Sequence, residues 1–320
     1  MSHRAMIDGT AYEVTGGKTM VDGTVYSITG GKTLVDGTVY GIDFGSAEIP
    51  VSFDGTHTIY GDGKRGWIEI TGKGTLTVLR SITADIYLLG KGSSGANGVS
   101  KYVKYETSNT WSVDGGTGGN GGKYLEVYGQ TLSGTYEASF TAPNSDSSKS
   151  STSGSNTKLG DWNSYNGTSA ARGGTATYSG SVSGNDNANQ ISLSSGSPAS
   201  GGDGRQPFAG NTPMSQGNAA KKLGAGGGSG GLRKAHLKVT YTGDPSDPSG
   251  ITKSYEEEQK SVVKATASSG ETAGDFGSGG SGGYANIVNG PEQESIGKNH
   301  VSNYNGASGK TGIIIVRWGY

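Results

Sequence analysis

Apolar and polar residues alternate through the first forty or so positions, and the alternation repeats. Met6-Ile7-Asp8-Gly9-Thr10-Ala11-Tyr12-Glu13-Val14-Thr15-Gly16-Gly17-Lys18-Thr19 recurs in a close copy from Met20, and a shortened copy runs from Leu34 to Ile42. The copies begin at residues 6, 20 and 34, a period of 14. Thr24, Tyr26 and Ile28 share one face of a two-residue period and Val25 and Ser27 the other, which is a strand pattern. Asp8-Gly9, Asp22-Gly23 and Asp36-Gly37 suit the positive φ of type I′ hairpin turns. With Gly16-Gly17 and Gly30-Gly31 as return turns, the pattern predicts a β-meander of very short strands over residues 1–44. Hairpins this small are marginal alone, so an attachment or oligomerisation module is expected there, packed against other chains.

Residues 45–90 open a second unit. β-Branched or aromatic runs at 49–53, 58–60, 67–71, 75–79 and 84–89 are separated by glycine-containing turns, the pattern of β-sandwich-like strands. Far downstream, 237–242 and 261–267 read as an outgoing and a returning strand about the turn Asp244-Pro245-Ser246-Asp247-Pro248-Ser249-Gly250. Glu256-Glu257-Glu258 fits either a strand or the start of a short helix. The chain closes on Gly312-Ile313-Ile314-Ile315-Val316-Arg317-Trp318, a buried or interface strand.

Composition changes the picture after residue 90. Glycine supplies 61 of 320 residues, against a usual ~7 %. Glycine nodes recur at 92–98, 115–122, 201–204, 224–231 and 277–283, with polar stretches at 144–156 and 179–200 between them. The hydrophobic fraction of 31 % is too small for one thick conventional core. With only 8 prolines and clustered glycines the chain is not collagen, and 8 % aromatic residues argue against a disordered polyelectrolyte. One glycine/serine stretch alone would be a flexible linker. Five nodes broken by aromatics and strands point instead to polyproline-II-like polyglycine segments. Such a helix has about three residues per turn and no internal hydrogen bonds, so neighbouring segments satisfy one another only where no Cβ intervenes. The expected fold is all-β: repeats over 1–44, strands over 45–90, and a glycine-rich domain over 91–320 with an insertion at 232–276 and the closing strand at 312–318.

Charge and motifs exclude more than they assign. A net charge of −1 leaves no basic footprint for nucleic acid. The longest apolar run near the end, Ile313-Ile314-Ile315-Val316, is far below the ~20 residues of a membrane span. The first residues lack the apolar stretch of a secretory signal, which predicts synthesis in a host cytoplasm without export. Gly-Lys-Thr occurs at 17–19, 31–33 and 309–311, but Tyr12, Tyr26 and Tyr304 stand where a P-loop requires its first glycine. His3, His57, His236 and His300 are scattered, so no metal and no cofactor is expected; Asp244 and Asp247 read as turn residues rather than calcium ligands. Glu126 and Glu137 could be a carboxylate pair, as could any two in a β protein. No nucleophile elbow accompanies the serines, so no catalytic residue is expected.

Aromatics stranded among polar residues are the candidate contacts: Trp162 and Tyr165 with Asn163 and Asn166, then Trp111, Tyr178 and Phe208. Each ring either plugs its loop onto the glycine segments or offers stiff contact area beside adaptable amides, as in paratope loops. Trp162, Tyr165, Asn163, Asn166, Trp111 and Tyr178 form the expected receptor-binding set.

The succession Leu88-Leu89-Gly90, Gly121-Gly122-Lys123-Tyr124-Leu125-Glu126-Val127, Gly282-Gly283-Tyr284 and the closing isoleucine-rich strand resembles the glycine-rich domains of phage and prophage tail proteins. The Asp-Gly-Thr-x-Tyr repeats are similar to short repeats in phage structural proteins. The resemblance covers about residues 67–320 and implies a non-enzymatic tail fibre or receptor-binding adhesin of a virion tail. Implied partners are other tail proteins, a host-surface glycan or protein, and further copies of the chain, a trimer being one such assembly. The 14-residue repeats and the 232–276 insertion depart from those adhesins. The same features also suit a purely structural virion protein of baseplate, neck or capsid fibre. A polysaccharide-degrading enzyme would show a long repetitive β-helical stretch, which is missing from the sequence.

Overall fold

The computed structural model describes residues 48–104, 109–140, 157–169, 171–184, 187–267 and 275–320, together with the backbone of six strands before residue 43. Those six strands form three hairpins. β1 (His3–Ile7) pairs β2 (Thr10–Val14), β3 (Gly17–Val21) pairs β4 (Thr24–Ile28), and β5 (Gly31–Val35) pairs β6 (Thr38–Ile42). The registers end at Ile7↔Thr10, Val21↔Thr24 and Val35↔Thr38; the Asp-Gly pairs expected as turns lie outside the described residues. The expected continuous meander is corrected to separate two-stranded sheets. Gly17 and Gly31 open strands rather than making return turns.

β7 (Val51–Phe53), β8 (His57–Gly61), β9 (Gly66–Ile70) and β10 (Gly74–Leu89) follow. β10 merges two runs that read as separate strands in the sequence. After β11 (Ser100–Lys104) and β12 (Asn109–Gly115) come β13 (Lys123–Phe140), β14 (Thr157–Leu159), β15 (Trp162–Asn163) and β16 (Thr168–Ser169). β17 (Ala176–Val182), β18 (Ile191–Ser195), β19 (Leu232–Thr242), β20 (Thr252–Lys264), β21 (Ala285–Gly290) and β22 (Ile313–Trp318) complete the strands among the described residues, which also hold one short α-helix, α1 (Glu294–Lys298). Glu256, Glu257 and Glu258 lie within β20, so the strand alternative holds.

A nine-stranded sheet forms the base, in the order β15-β14-β13-β10-β22-β9-β8, with β16 on β13 and β7 on β10. β22 lies between β10 and β9 and is buried along its whole length. Burial on both faces explains its unbroken apolar run: Ile314, Val316 and Trp318 enter one core, Ile313 and Ile315 a second. The pairing of β10 with β13 slips between Val78 and Ile82 and again between Ala84 and Ile86. Such bulges bend strands, and here Phe53, Leu76 and Val78 join Ile86, Leu88 and Ile314 in one cluster. The sheet therefore curls around its first core. The second core is capped by loop residues Phe208, Met214, Ala219 and Leu223.

Between the base and the other end the chain is neither helix nor strand, and its backbone bonds repeat every third residue. Gly92, Gly95 and Gly98 donate to the carbonyls of Lys310, Ala307 and Tyr304, each at 2.9 Å. Gly116, Gly119 and Gly122 donate to Gly283, Gly280 and Gly277; Gly279, Gly282 and Ala285 donate to Ala225, Gly228 and Gly231. A three-residue period is that of a polyproline-II-type helix. The full set of bonds arranges seven segments as a two-layer slab. One layer holds 304–312, 277–284, 224–231 and 199–204, and the other 90–99, 115–122 and 171–174.

Glycine spacing follows position in the slab. The interior segments 115–122 and 277–284 carry glycine at two of every three places, while the marginal segments 90–99 and 304–312 carry it regularly at one: Gly92, Gly95, Gly98 and Gly306, Gly309, Gly312. A Cβ on Gly280 would overlap the Ala307 carbonyl, and one on Gly282 the Gly116 carbonyl.

Segment direction carries into the far end. Segments 90–99, 224–231 and 277–284 run the same way, so the strands they feed (β11, β19 and β21) pair in parallel. They form the sheet β11-β21-β19-β20, which faces the sheet β12-β17-β18 across a core of Trp111, Val113, Tyr178, Ile191, Leu232 and Ile287. A smaller core of Tyr102, Ala235, Leu237 and Val288 fills the other face of the four-stranded sheet.

Candidate binding surfaces

The structure divides the expected contact set between the two ends of the slab. Trp111 and Tyr178 sit in the distal core, Trp111 only 2 % exposed and Tyr178 fully buried. Tyr178 donates its hydroxyl to the Gly230 carbonyl at 2.8 Å, and burial pushes its pKa up to about 12. It ties the distal sandwich to the slab. The Trp111 ring fills the space where a Cβ on Gly180 would stand, 2.6 Å from its Cζ2. Neither ring is presented to solvent, so the expectation of receptor contact at Trp111 and Tyr178 is replaced by a packing role. Phe208 is likewise buried, in the second base core.

Trp162, Asn163, Tyr165 and Asn166 stay together at the edge of the base. Trp162 is half-buried against the first core, its ring 5.7 Å from that of Tyr136. Asn163 caps a one-turn 3-10 helix, Ser164–Asn166, by accepting from the Tyr165 amide at 2.9 Å. Ser164 is buried, and its Oγ accepts from the Thr157 amide at 3.0 Å. This turn pushes Tyr165 outward, 52 % exposed. Lys123 Nζ lies 4.4 Å from the ring centroid and donates to the Tyr165 carbonyl at 3.2 Å. The ring is thus held by a cation on one side with exposed Asn166 beside it.

The opposite end of the molecule bears the β19–β20 ribbon, which sequence reasoning did not single out as a contact. Residues 240–254 are all exposed. Tyr241 is 59 % exposed, with Lys253 Nζ 5.4 Å from its ring centroid. The Asp244 and Asp247 carboxylates accept from Ser246 and Ser249, and these bonds lower both pKa values. Those aspartates are turn caps. The signal in the sequence was the double Asp-Pro-Ser pattern, whose stiffness suits display.

Charged residues on the base sheet hold the capping loop 205–222. Glu126 accepts from Arg205, from the Phe208 amide and from the Tyr128 hydroxyl. Buried Glu69 accepts from Asn218 Nδ2 at 2.8 Å and from the Ala219 amide at 2.9 Å. Arg317, 1 % exposed, donates to the carbonyls of Asn211 and Thr212, pairs with Asp85 at 2.8 Å and lies 4.1 Å above the Phe208 ring. Phe208 and Thr212 both take positive φ, +56° and +48°, uncommon for such side chains. The Glu126 carboxylate is thereby engaged on both oxygens in holding structure.

Among the described residues no cluster of three metal-ligating side chains occurs, and no helix is long and apolar enough to cross a membrane. No protein-family model matches the chain, and no curated protein matches its sequence.

Proposed function

We propose that the chain is a non-enzymatic structural and binding component of a bacteriophage or phage-tail-like particle, a tail fibre or receptor-binding tip that contacts the host surface. The observation that carries this reading is the glycine slab. It is a spacer whose core is backbone, and it fixes two β units at its ends while leaving Tyr165 and the Tyr241 ribbon exposed. Such a design suits display under mechanical load better than enclosure of a substrate. The three N-terminal hairpins serve as the attachment or oligomerisation module, since two-stranded sheets need a partner for stability.

Immunogold labelling of the particles, with antibody to the purified protein, tests the placement. Gold at the tail extremity is expected. Gold confined to the capsid, neck or baseplate would favour a purely structural virion protein, and unlabelled particles would defeat both readings. Contact at the base edge is tested by Tyr165→Ala. Loss of a hot-spot ring costs about 2 kcal/mol, or roughly thirtyfold in affinity for host cells. Undiminished adsorption would remove Tyr165 from the contact set.

A further inference from the structure

The bulge of β10 and the exit of β22 enclose an open cavity of about 310 Å³ lined by Lys64, Arg80, Ser81, Thr83 and Tyr320. Its construction is specific. The β10–β13 register slips between Val78 and Ile82, and a bulge re-aims side chains; Arg80 and Ser81 lie in that slip and line the cavity. Gly319, at φ +75°, turns the chain after Trp318 and brings Tyr320 alongside. The Arg80 guanidinium donates to the Gly63 carbonyl and so fixes the loop that carries Lys64. Arg65 lies 4.0 Å above the Tyr320 ring and Arg317 4.9 Å from it, which holds that ring in place.

The charged side chains in the lining are of one sign. Lys64 and Arg80 line the opening, Arg65 stands over the Tyr320 ring, and no carboxylate side chain is among the lining residues. The nearby Asp62 is committed to its own loop, where its Oδ1 accepts from the amides of Lys64 and Arg65 at 2.7 and 2.9 Å. Concave sites lined by charge of one sign concentrate the opposite sign. The volume lies at the low end of the ~300–1,000 Å³ of ligand sites, which suits one charged unit of a larger polymer. Ser81 and Thr83 add hydroxyls for the hydroxyl groups of a sugar.

We propose that this cavity binds the anionic group of an acidic cell-surface saccharide, with Lys64 and Arg80 as its cationic contacts. The proposal names the receptor class and rests on the receptor-binding reading for its biological role, but not for its test. Full-length protein is titrated calorimetrically with an oligogalacturonate, a glycerol-phosphate oligomer and a neutral dextran oligomer. At least one anionic probe should bind, and raising the salt from about 50 to 500 mM should weaken it, as expected for exposed charges. Binding by the first probe alone assigns a carboxylate and by the second alone a phosphate. Lys64→Gln removes an exposed side chain and should weaken binding about three- to fivefold, the scale of an exposed ion pair, at unchanged melting temperature. Arg80→Lys keeps the charge and should bind more tightly than Arg80→Gln. Equal binding of dextran, silence from both anionic probes, or affinity indifferent to the Lys64 and Arg80 substitutions overturns the proposal. Gold at the tail extremity would stand in any of these cases, so the two readings fail separately.

Discussion

A glycine in the slab and a glycine in a loop are the same residue with opposite consequences. A Cβ on Gly227 would overlap the Gly280 carbonyl, whereas one on Gly210 meets nothing within 4 Å. Gly227→Val, Gly280→Val and Gly282→Val should each cost several times the ~1 kcal/mol of glycine's propensity, because carbonyls bonded to neighbouring amides would be forced aside. Gly210→Ala should be neutral or stabilising by up to about 1 kcal/mol, through the unfolded chain. Thermal melting of the four variants decides; equal melting temperatures would make the nodes ordinary loops. The period was present in the sequence as Gly92, Gly95, Gly98 and Gly306, Gly309, Gly312, but it is local and changes phase from node to node. The two rings of the Trp162 segment also separate at this scale. Trp162→Ala empties a half-buried site beside Tyr136 and should cost about 2 kcal/mol, roughly half the cost for a fully buried ring. Tyr165→Ala should leave the melting temperature nearly unchanged. A thermally silent Trp162→Ala would show that the ring is not needed as a structural plug.

Elements were legible where a strand's own residues determine its fate. β22 was evident because an unbroken isoleucine run has to be buried, and the alternation within each 14-residue copy announced short strands that pair as β1–β2, β3–β4 and β5–β6. Partners far along the chain were not legible. β12 and β17 pair across more than sixty residues, Trp111↔Gly180 and Val113↔Tyr178, so nothing local distinguishes Trp111 and Tyr178 from surface rings. The Arg317 and Glu69 clamps were hidden for the same reason, since each reaches a loop more than a hundred residues away in sequence. The β19–β20 ribbon provides the test at this scale. Its residues 240–254 contribute no buried side chain, and stability follows burial. Replacing residues 243–251 by Asn-Gly, a favoured two-residue hairpin connection, should leave the melting temperature within a few degrees. If host adsorption falls in that variant, the ribbon joins Tyr165 as a contact. A cooperative loss of structure would instead show that the ribbon supports the sandwich.

On the scale of the whole molecule, the slab determines whether base and distal sandwich behave as one body. Each of its segments continues into a strand of at least one end: 90–99 joins β10 to β11, 115–122 joins β12 to β13, and 304–312 leads into β22. Tyr178 adds a bond from the distal core to the slab itself. Local opening free energies in proteins range from near zero in loops to the global value in core elements. If the slab is a core made of backbone, the amides of Gly116, Gly119, Gly280 and Gly283, each bonded to a neighbouring segment at 2.7–2.9 Å, should exchange hydrogen as slowly as those of β10 and β22. Their protection should also fall in step with both ends when denaturant is added. A flexible glycine linker predicts the reverse: amides exchanging at nearly the unprotected rate, and two ends that lose protection at different denaturant concentrations. Gly282→Val sharpens the distinction, because a substitution in the middle of a single cooperative body lowers the protection of β10 and of β19 together. Lowered protection at one end only would mean that the slab is a tether, and a tether could not hold Tyr165 and the Tyr241 ribbon in fixed relation to a surface.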